Sequence, residues 1–389
     1  MLSVLLDALF SGISIGSVLL VSALGLAIVF GLMGVINMAH GEMMMLGAYT
    51  TVVVQNLCKG TPLADLYIFP ALIAAFVVTA LVGLLLERGV IRFLYGRPLE
   101  TLLATWGVSL ILQQFVRSVS NQFVVGAVMV SGLIALGWWW LGLIESLHSR
   151  LKNLAIGLWV PLAMLITWKV VDGVAMGMGS IEKLAFTKPW FGAQNQELTA
   201  PTWLREGIKI ADTQFSSARI FIIVVTVLAL LAVYFFLNRT RWGLRIRAVM
   251  QNRDMSACLG IPTNKIDALT FALGSGLAGI AGCAVGLIGS VGPDTGQNYI
   301  VDTFMVVVVG GVGKLTGSIV AAMAIGVMNY LIGSNLLVTA FAGIPPIAKF
   351  FEFFATISMA KVLVFALIIV FLQYKPAGLF PQKGRTVDA

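Results

Sequence analysis

Few side chains of this sequence could do chemistry, and the most informative ones stand inside an apolar stretch. Asn37, His40 and Glu42 lie within six residues of one another, between long runs of apolar side chains. Burial of an unpaired polar group in hydrocarbon costs free energy. Such residues therefore face one another or a water-filled path through the protein. Two interpretations stay open: a hydrated turn between two helices, or a broken helix that lines a permeation path.

Further polar residues interrupt later apolar runs. Thr105, Ser109 and Gln113 recur every four residues, which places them on one face of a helix. Glycines in residues 310–317 break an apolar run a second time, and paired interrupted helices are the usual sequence indicator of a transport path. Hydrogen bonding between helices is the alternative role of each polar side chain. The candidates for a substrate pathway are Asn37, His40, Thr105, Ser109, Gln113, Asp302 and Thr303.

The sequence offers no evident catalytic, metal-binding or nucleotide-binding set. Its two histidines are far apart, and its three cysteines show no CxxC spacing. The GxGxxG pattern at residues 274–279 stands inside an apolar run with no strand before it, so it predicts close helix packing. Residues 310–314 resemble part of a P-loop, but Leu315 stands where Ser or Thr is required. We therefore expect no enzyme activity, no cofactor and no bound metal.

Composition places the chain in a membrane. Of 389 residues, 59% are hydrophobic and only 11% are charged, against about 25% charged in soluble domains. A soluble enzyme, a nucleic-acid-binding protein and a disordered scaffold are therefore excluded. The net charge of +8 is explained by basic residues that collect in cytoplasmic loops.

The fold class predicted is an all-α polytopic membrane protein with about ten transmembrane helices plus a broken or re-entrant helix. Residues 1–389 are expected to form a single transmembrane domain. A further apolar run, 304–309, is too short to cross alone. The ten runs are 5–30, 41–57, 68–86, 99–116, 125–144, 154–174, 218–237, 268–290, 318–333 and 353–372.

Basic clusters set the expected orientation. The segments 87–98 and 238–267 and the tail after residue 374 carry most of the arginines and lysines, so we place them in the cytoplasm. The polar segment 177–217 is then outside, and His148 lies in a cytoplasmic turn.

The segment 238–267 predicts a cytoplasmic loop with a short helix over residues 245–259. Arg245 and Arg253 form its cationic face, Gly260 ends it, and Pro262 follows. Such a helix suits a groove on a soluble partner. An interfacial helix without a partner stays the alternative.

Several stretches resemble one family, the branched-chain amino acid/amide-type permeases of bacterial ABC importers. Residues 25–49, GLAIVFGLMGVINMAHGEMMMLGAY, are similar to its signature, and residues 247–262 to its ATPase-coupling segment. Residues 306–317 and 375–380 resemble its late broken helix and its C-terminal ending. Within the family the resemblance is closest to the urea importer permease, in residues 87–114 and 289–314. Residues 121–190 depart from the family and read as an inserted helical hairpin.

The resemblance implies a subunit of the bacterial inner membrane that works in an assembly embedded in the lipid bilayer. The implied partners are a second homologous permease subunit, two cytoplasmic ATPase subunits and a periplasmic substrate-binding protein; no nucleic acid is expected. The expected function is ATP-driven import of urea. The alternatives are a branched-chain amino acid permease and, less favoured, a passive urea channel or a secondary transporter. The residues assigned to ATPase coupling are Arg245, Arg247, Met250, Arg253, Leu259, Gly260 and Pro262.

Overall fold

The structure, a computed structural model, describes residues 2–62, 64–143, 149–177, 186–210, 213–334 and 336–380. It divides into two compact units, one of Met1–Leu110 with Asn195–Ala389 and one of Ile111–Gln194. Each unit is described by itself below. His148, which we place in a cytoplasmic turn, lies outside the described residues.

Nearly all regular structure in the described ranges is helical. Helix α4 belongs to both units, and a 3₁₀ turn, Ile91–Phe93, precedes it. The two short strands pair antiparallel, with Gly207 opposite Ser216. The elements are α1 Leu2–Met33, α2 His40–Cys58, α3 Ile68–Gly89, α4 Pro98–Ser118, α5 Asn121–Leu143, α6 Ser149–Gly177, α7 Thr202–Arg205, β1 Gly207–Ile210, β2 Thr213–Ser216, α8 Ser217–Arg239, α9 Arg241–Gln251, α10 Arg253–Cys258, α11 Thr263–Ile288, α12 Thr295–Gly310, α13 Leu315–Gly333, α14 Leu336–Ala340, α15 Pro345–Phe354 and α16 Ile357–Tyr374.

This architecture confirms an all-α polytopic membrane protein. Six described helices are long and apolar enough to cross a membrane, or seven if the bent pair α15–α16 is one span. The count of about ten is larger because it includes α2, which is less apolar than the six, and also α5 and α6, which border undescribed residues. The short run 304–309 is part of α12, whose 16 residues are fewer than the roughly 20 that a span needs.

The expected single span over residues 353–372 is wrong at its start. The chain bends by 107° between α15 and α16. Thr356 has extended backbone angles, and its side chain accepts a hydrogen bond from the Met359 N–H at 3.4 Å. A residue that caps a helix in this way begins a new helix, so the apolar run does not continue as one.

Helix α1 lies at the centre of the first unit, where it packs against α8, α11, α12 and α13. Glycines allow the closest approaches. A Cβ on Gly274 would lie 2.7 Å from the carbonyl oxygen of Gly25, and a Cβ on Gly296 would lie 2.7 Å from the carbonyl carbon of Gly41. Small residues let helix backbones touch in this way. The prediction that residues 274–279 serve helix packing is therefore confirmed.

The second unit contains the hairpin of α5 and α6. The Trp190 N–H donates to the Val119 carbonyl at 2.8 Å, and Ser120 forms a β-bridge with Pro189, so the two ends of the hairpin meet. Within it, the Trp159 indole donates to the Leu133 carbonyl at 2.9 Å. The boundaries 121–190 as an insertion stay a prediction.

Substitution at a packed glycine tests this architecture. A Cβ on Gly47 would lie 2.5 Å from the Cα of Gly279, and neither backbone can move aside without shifting a helix. We expect Gly47→Ala to destabilise the protein by about 1–3 kcal/mol through overpacking. The measurement is the thermal unfolding midpoint of the purified protein in detergent.

The matched control is Gly107→Ala, because Gly107 is also helical and a Cβ there would meet nothing within 4 Å. This control should leave the midpoint unchanged or raise it slightly. Equal midpoints for both variants would contradict the packing account.

Candidate functional site

Helix α2 begins deep inside the first unit. The side chain of His40, its first residue, is fully buried, and its Nε2–H donates to the Ser22 carbonyl at 3.0 Å. Ser22 lies three turns before the end of α1 at Met33. At 1.5 Å per residue, the start of α2 is therefore about 16 Å from that end. The connection between α1 and α2 therefore starts at the surface, where Gly34 is exposed, and runs back into the bundle, where α2 begins.

Side chains satisfy the backbone at this break. The Asn37 side-chain oxygen accepts from the Ala39 N–H at 3.1 Å, and its backbone carbonyl accepts from the His40 N–H at 3.3 Å. The Thr105 hydroxyl of α4 accepts from the Met38 N–H at 3.1 Å. Asn37, His40 and Thr105, three predicted pathway residues, therefore meet at one place.

A buried carboxylate lies in the first turn of α2. The Ser109 hydroxyl donates to Glu42 Oε1 at 2.9 Å, and both side chains are buried. A negative charge at this end of a helix is favoured by the helix dipole. Glu42 is absent from the predicted site residues, although an acidic residue within an apolar run was a usable signal.

Ser22 joins three helices. Its hydroxyl lies 2.8 Å from the Thr303 hydroxyl of α12, and it donates to the Met44 sulfur of α2 at 3.0 Å. Thr303 is a predicted pathway residue and Ser22 is not. A serine in an apolar helix often bonds its own backbone, so the sequence gives no signal for this role.

Asp302 is paired with a residue that the sequence did not indicate. Lys361 of α16 forms an ion pair with Asp302 Oδ2 at 2.8 Å and lies 5.6 Å from the ring centre of Tyr299. Asp302 is buried, so the lysine stabilises a charge that would otherwise be costly. Gln113, also buried, belongs to the second unit, and its pathway role stays a prediction.

The predicted single helix over residues 245–259 is wrong, because two helices, α9 and α10, occupy the segment. Asn252 between them has an extended backbone, with φ −155° and ψ 108°, and its side chain accepts from the Met255 N–H at 2.9 Å. Asn is a preferred cap, so it ends α9 and begins α10.

The predicted stop at Gly260 is confirmed. Gly260 has φ +79°, its N–H donates to the Ala257 carbonyl, and the Ile261 N–H donates to the Ser256 carbonyl, both at 3.0 Å. These two bonds form a Schellman motif, which needs a residue with positive φ. Pro262 directly precedes α11.

The two faces of α9–α10 differ. Ile246 and Val249 are buried against the bundle, and Met250 packs beside them. Arg245, Arg247 and Leu259 are exposed, and Leu259 is 76% exposed. The α9–α10 segment therefore has an exposed surface that is both basic and apolar. The exposed side chains of Leu244 and Met255 also belong to this surface.

Arg253, predicted to lie on the exposed cationic face, is instead half-buried and tied to two long helices. It forms an ion pair with Asp267 of α11 at 2.6 Å, and its guanidinium carbon lies 4.7 Å from the ring centre of Tyr95. The Tyr95 hydroxyl donates to Glu87 of α3 at 3.1 Å. Burial raises the pKa of Tyr95, so its hydroxyl keeps the proton that it donates. We call Glu87, Tyr95, Arg253 and Asp267 the Arg253 cluster.

The three segments predicted to be cytoplasmic come together at one end of the unit. The Arg253 cluster joins the segment 87–98 to the segment 238–267. The tail meets the late break of α12 and α13, where the Leu379 N–H donates to the Val309 carbonyl at 2.8 Å. Gly311 in this break has φ +96°. Gly313 lies beside Gly31 near the end of α1, so all three segments share that end.

A helix that begins within the bundle, polar side chains from several helices around its start, and a surface helix pair at one end are features that a transport permease requires. The family described as the permease component of branched-chain amino acid transport systems matches residues 8–120 and 106–372. The chain belongs to this family. It is a multi-pass protein of the bacterial inner membrane and a permease subunit.

Some curated relatives match almost the whole chain, and others match a shorter part of it. The high-affinity branched-chain amino acid transport permease LivH of Salmonella typhimurium is 24% identical over 96% of this chain and 94% of its own. The corresponding permease BraD of Pseudomonas aeruginosa is 26% identical over 96% and 95%. The ribose import permease RbsC of Escherichia coli is 33% identical over 28% of this chain and 35% of its own. No solved structure matches the chain significantly. Permeases of this family work in general with ATPase subunits and a substrate-binding protein.

Removal of one hydroxyl tests the break. Thr105→Val keeps the shape of the side chain but leaves the partly buried Met38 N–H without its acceptor. We expect a loss of about 1–3 kcal/mol of stability, seen as a lower thermal unfolding midpoint. Thr105→Ser keeps the hydroxyl and should unfold close to the wild type. If the valine variant is as stable as the serine variant, Thr105 does not support the break.

Removal of the guanidinium tests the Arg253 cluster. Arg253→Ala leaves the Asp267 carboxylate buried without its partner, and because Arg253 is 38% exposed we expect a loss of only about 1–2 kcal/mol. Hydrogen exchange of the α10 backbone should become faster. Arg247→Ala is the control, since Arg247 is exposed and contacts only Asn238 at 3.4 Å among the described hydrogen bonds. Unchanged exchange in Arg253→Ala would refute the anchoring role.

Proposed function

We propose that this chain is one of two homologous permease subunits of an ATP-driven importer. In this proposal the assembly contains two cytoplasmic ATPases, one of which binds the α9–α10 surface of this chain, and a periplasmic binding protein delivers the solute to the opposite end. The observation that carries the proposal is the fastening of α9–α10 to α3 and α11 through the Arg253 cluster. A passive channel needs no exposed helix pair anchored in this way.

We further propose urea as the solute. The side chains around the break are mainly neutral groups that donate and accept hydrogen bonds: the Asn37 amide and the hydroxyls of Thr105, Ser109 and Thr303. The nearby carboxylates of Glu42 and Asp302 are engaged by Ser109 and Lys361. A small neutral molecule with N–H donors and one carbonyl acceptor suits such a path. The segments that resemble urea permeases, residues 87–114 and 289–314, include Thr105, Ser109, Asp302 and Thr303.

Branched-chain amino acids are the second candidate. The observation in their favour is that the relatives matched over nearly the whole chain are named as branched-chain amino acid permeases. A zwitterion would require charges of both signs along its route.

Uptake of labelled solute decides between these functions. The permease is produced with its second permease, ATPases and binding protein in cells that lack other routes for urea and leucine. We expect urea to accumulate against its gradient. Leu259→Asp should reduce accumulation at least tenfold, because it places a charge on the exposed apolar part of the ATPase-binding surface without disturbing the fold. Leu259→Met keeps an apolar side chain and should transport normally.

Three other results would contradict parts of the proposal. Accumulation of leucine and not urea would assign the chain to amino acid transport. Uptake that only equilibrates, and is equal in Leu259→Asp, would mean a channel. Full accumulation by Leu259→Asp would mean that the ATPases bind elsewhere.

A further inference from the structure

The first unit has a polar cavity at the end opposite the Arg253 cluster. Its volume is about 490 Å³, which is within the usual range of small-molecule sites. It lies among the beginnings of α1 and α8 and the ends of α11 and α13. Because the other ends of these helices are on the side predicted to be cytoplasmic, the cavity faces the predicted periplasmic side.

Charges of both signs line this cavity. Asp7 of α1 accepts a hydrogen bond from the Tyr330 hydroxyl at 3.1 Å through one carboxylate oxygen. Arg219 of α8 donates to the Ser11 hydroxyl through one guanidinium nitrogen. In the described part of the chain the two charges form no ion pair with each other, although they share the cavity. Each keeps further oxygens or N–H groups for another partner.

Two of the helices that surround the cavity are closely packed against each other. Helices α1 and α13 touch at glycines: a Cβ on Gly326 would lie 2.5 Å from the Cα of Gly16. This contact fixes the helix that carries Asp7 against the helix that carries Tyr330. The hydroxyls of Tyr330 and Ser11 orient the two charges, so that the charges stay apart.

We propose that this cavity is an outer solute site of the importer. Arg219 binds the oxygen end of a small solute, and Asp7 binds its N–H end. Urea has a carbonyl oxygen and two NH2 groups, and an α-amino acid has a carboxylate and an ammonium group. Both solutes therefore have an oxygen end and an N–H end. The inference rests on the proposed transport function, but it does not depend on which of the two solutes is moved.

Protection of a cysteine tests the outer site directly. Ser216 lines the cavity and is exposed, so Ser216→Cys, made in a Cys58→Ser background, reports access to it. Membranes that hold the complete permease–ATPase assembly are treated with a membrane-impermeant thiol reagent, with and without urea or leucine at millimolar concentration. We expect one of the two solutes to slow labelling at least threefold. Glycerol, which has neither a carbonyl oxygen nor an N–H group, serves as the control and should not protect.

Two further substitutions locate the solute. Arg219→Gln and Asp7→Asn should each abolish protection while the labelling rate without solute stays unchanged, which shows that the cavity is intact. In uptake with saturating binding protein, each should raise the KM at least tenfold.

The results separate the two proposals. Protection by leucine and not urea would overturn urea as the solute and support the outer site. No protection by either solute in the wild type would overturn the outer site, even if transport is normal. Protection that survives in both Arg219→Gln and Asp7→Asn would overturn the assigned roles of the two charges.

Discussion

Hydrocarbon provides no hydrogen-bond partner, and the first unit depends on meeting that constraint wherever a helix is interrupted. At the early break, the Asn37 side chain and the Thr105 hydroxyl accept the N–H groups that a continuous helix would have bonded internally. At the late break, the tail supplies the Leu379 N–H to the Val309 carbonyl. At both breaks, groups distant along the chain therefore provide hydrogen bonds for backbone that has left its helix.

The α9–α10 segment reaches the broken helix by two short routes. The Arg253 cluster joins it to α3 and α11, whose packed faces contact α2. Met250 lies beside Gly31 near the end of α1, next to Gly313 of the late break. A displacement of α9–α10 by a bound partner would therefore act on both breaks at once. A bound partner shifts an equilibrium between two conformations of the permease only if it contacts these two conformations differently.

The sequence predicts the class and the helix stop at Gly260, because composition and a glycine–proline pair are local signals. At residues 37–42 it marks an interruption but leaves a hydrated turn and a broken helix as alternatives. It could not predict the division of residues 241–258 into two helices, since Asn252 suits both a helix surface and a cap. Ser22 and Lys361 were missed for another reason. Their partners, Thr303 and Asp302, are distant along the chain, and only the packing of α12 against α1 and α16 brings them together. The cavity at Asp7 and Arg219 likewise joins residues more than 200 positions apart.

Paired glycines have a consequence for how this chain can change over evolution. At an ordinary contact between two side chains, one can grow if its neighbour shrinks, and such exchanges leave a correlated record among related sequences. Gly25 lies against Gly274, Gly41 against Gly296 and Gly47 against Gly279, so neither member of a pair has a side chain to give up. These positions should stay constant together, with no correlated variation. Methods that infer contacts from correlated substitutions would then detect no signal at the closest approaches between helices in this molecule.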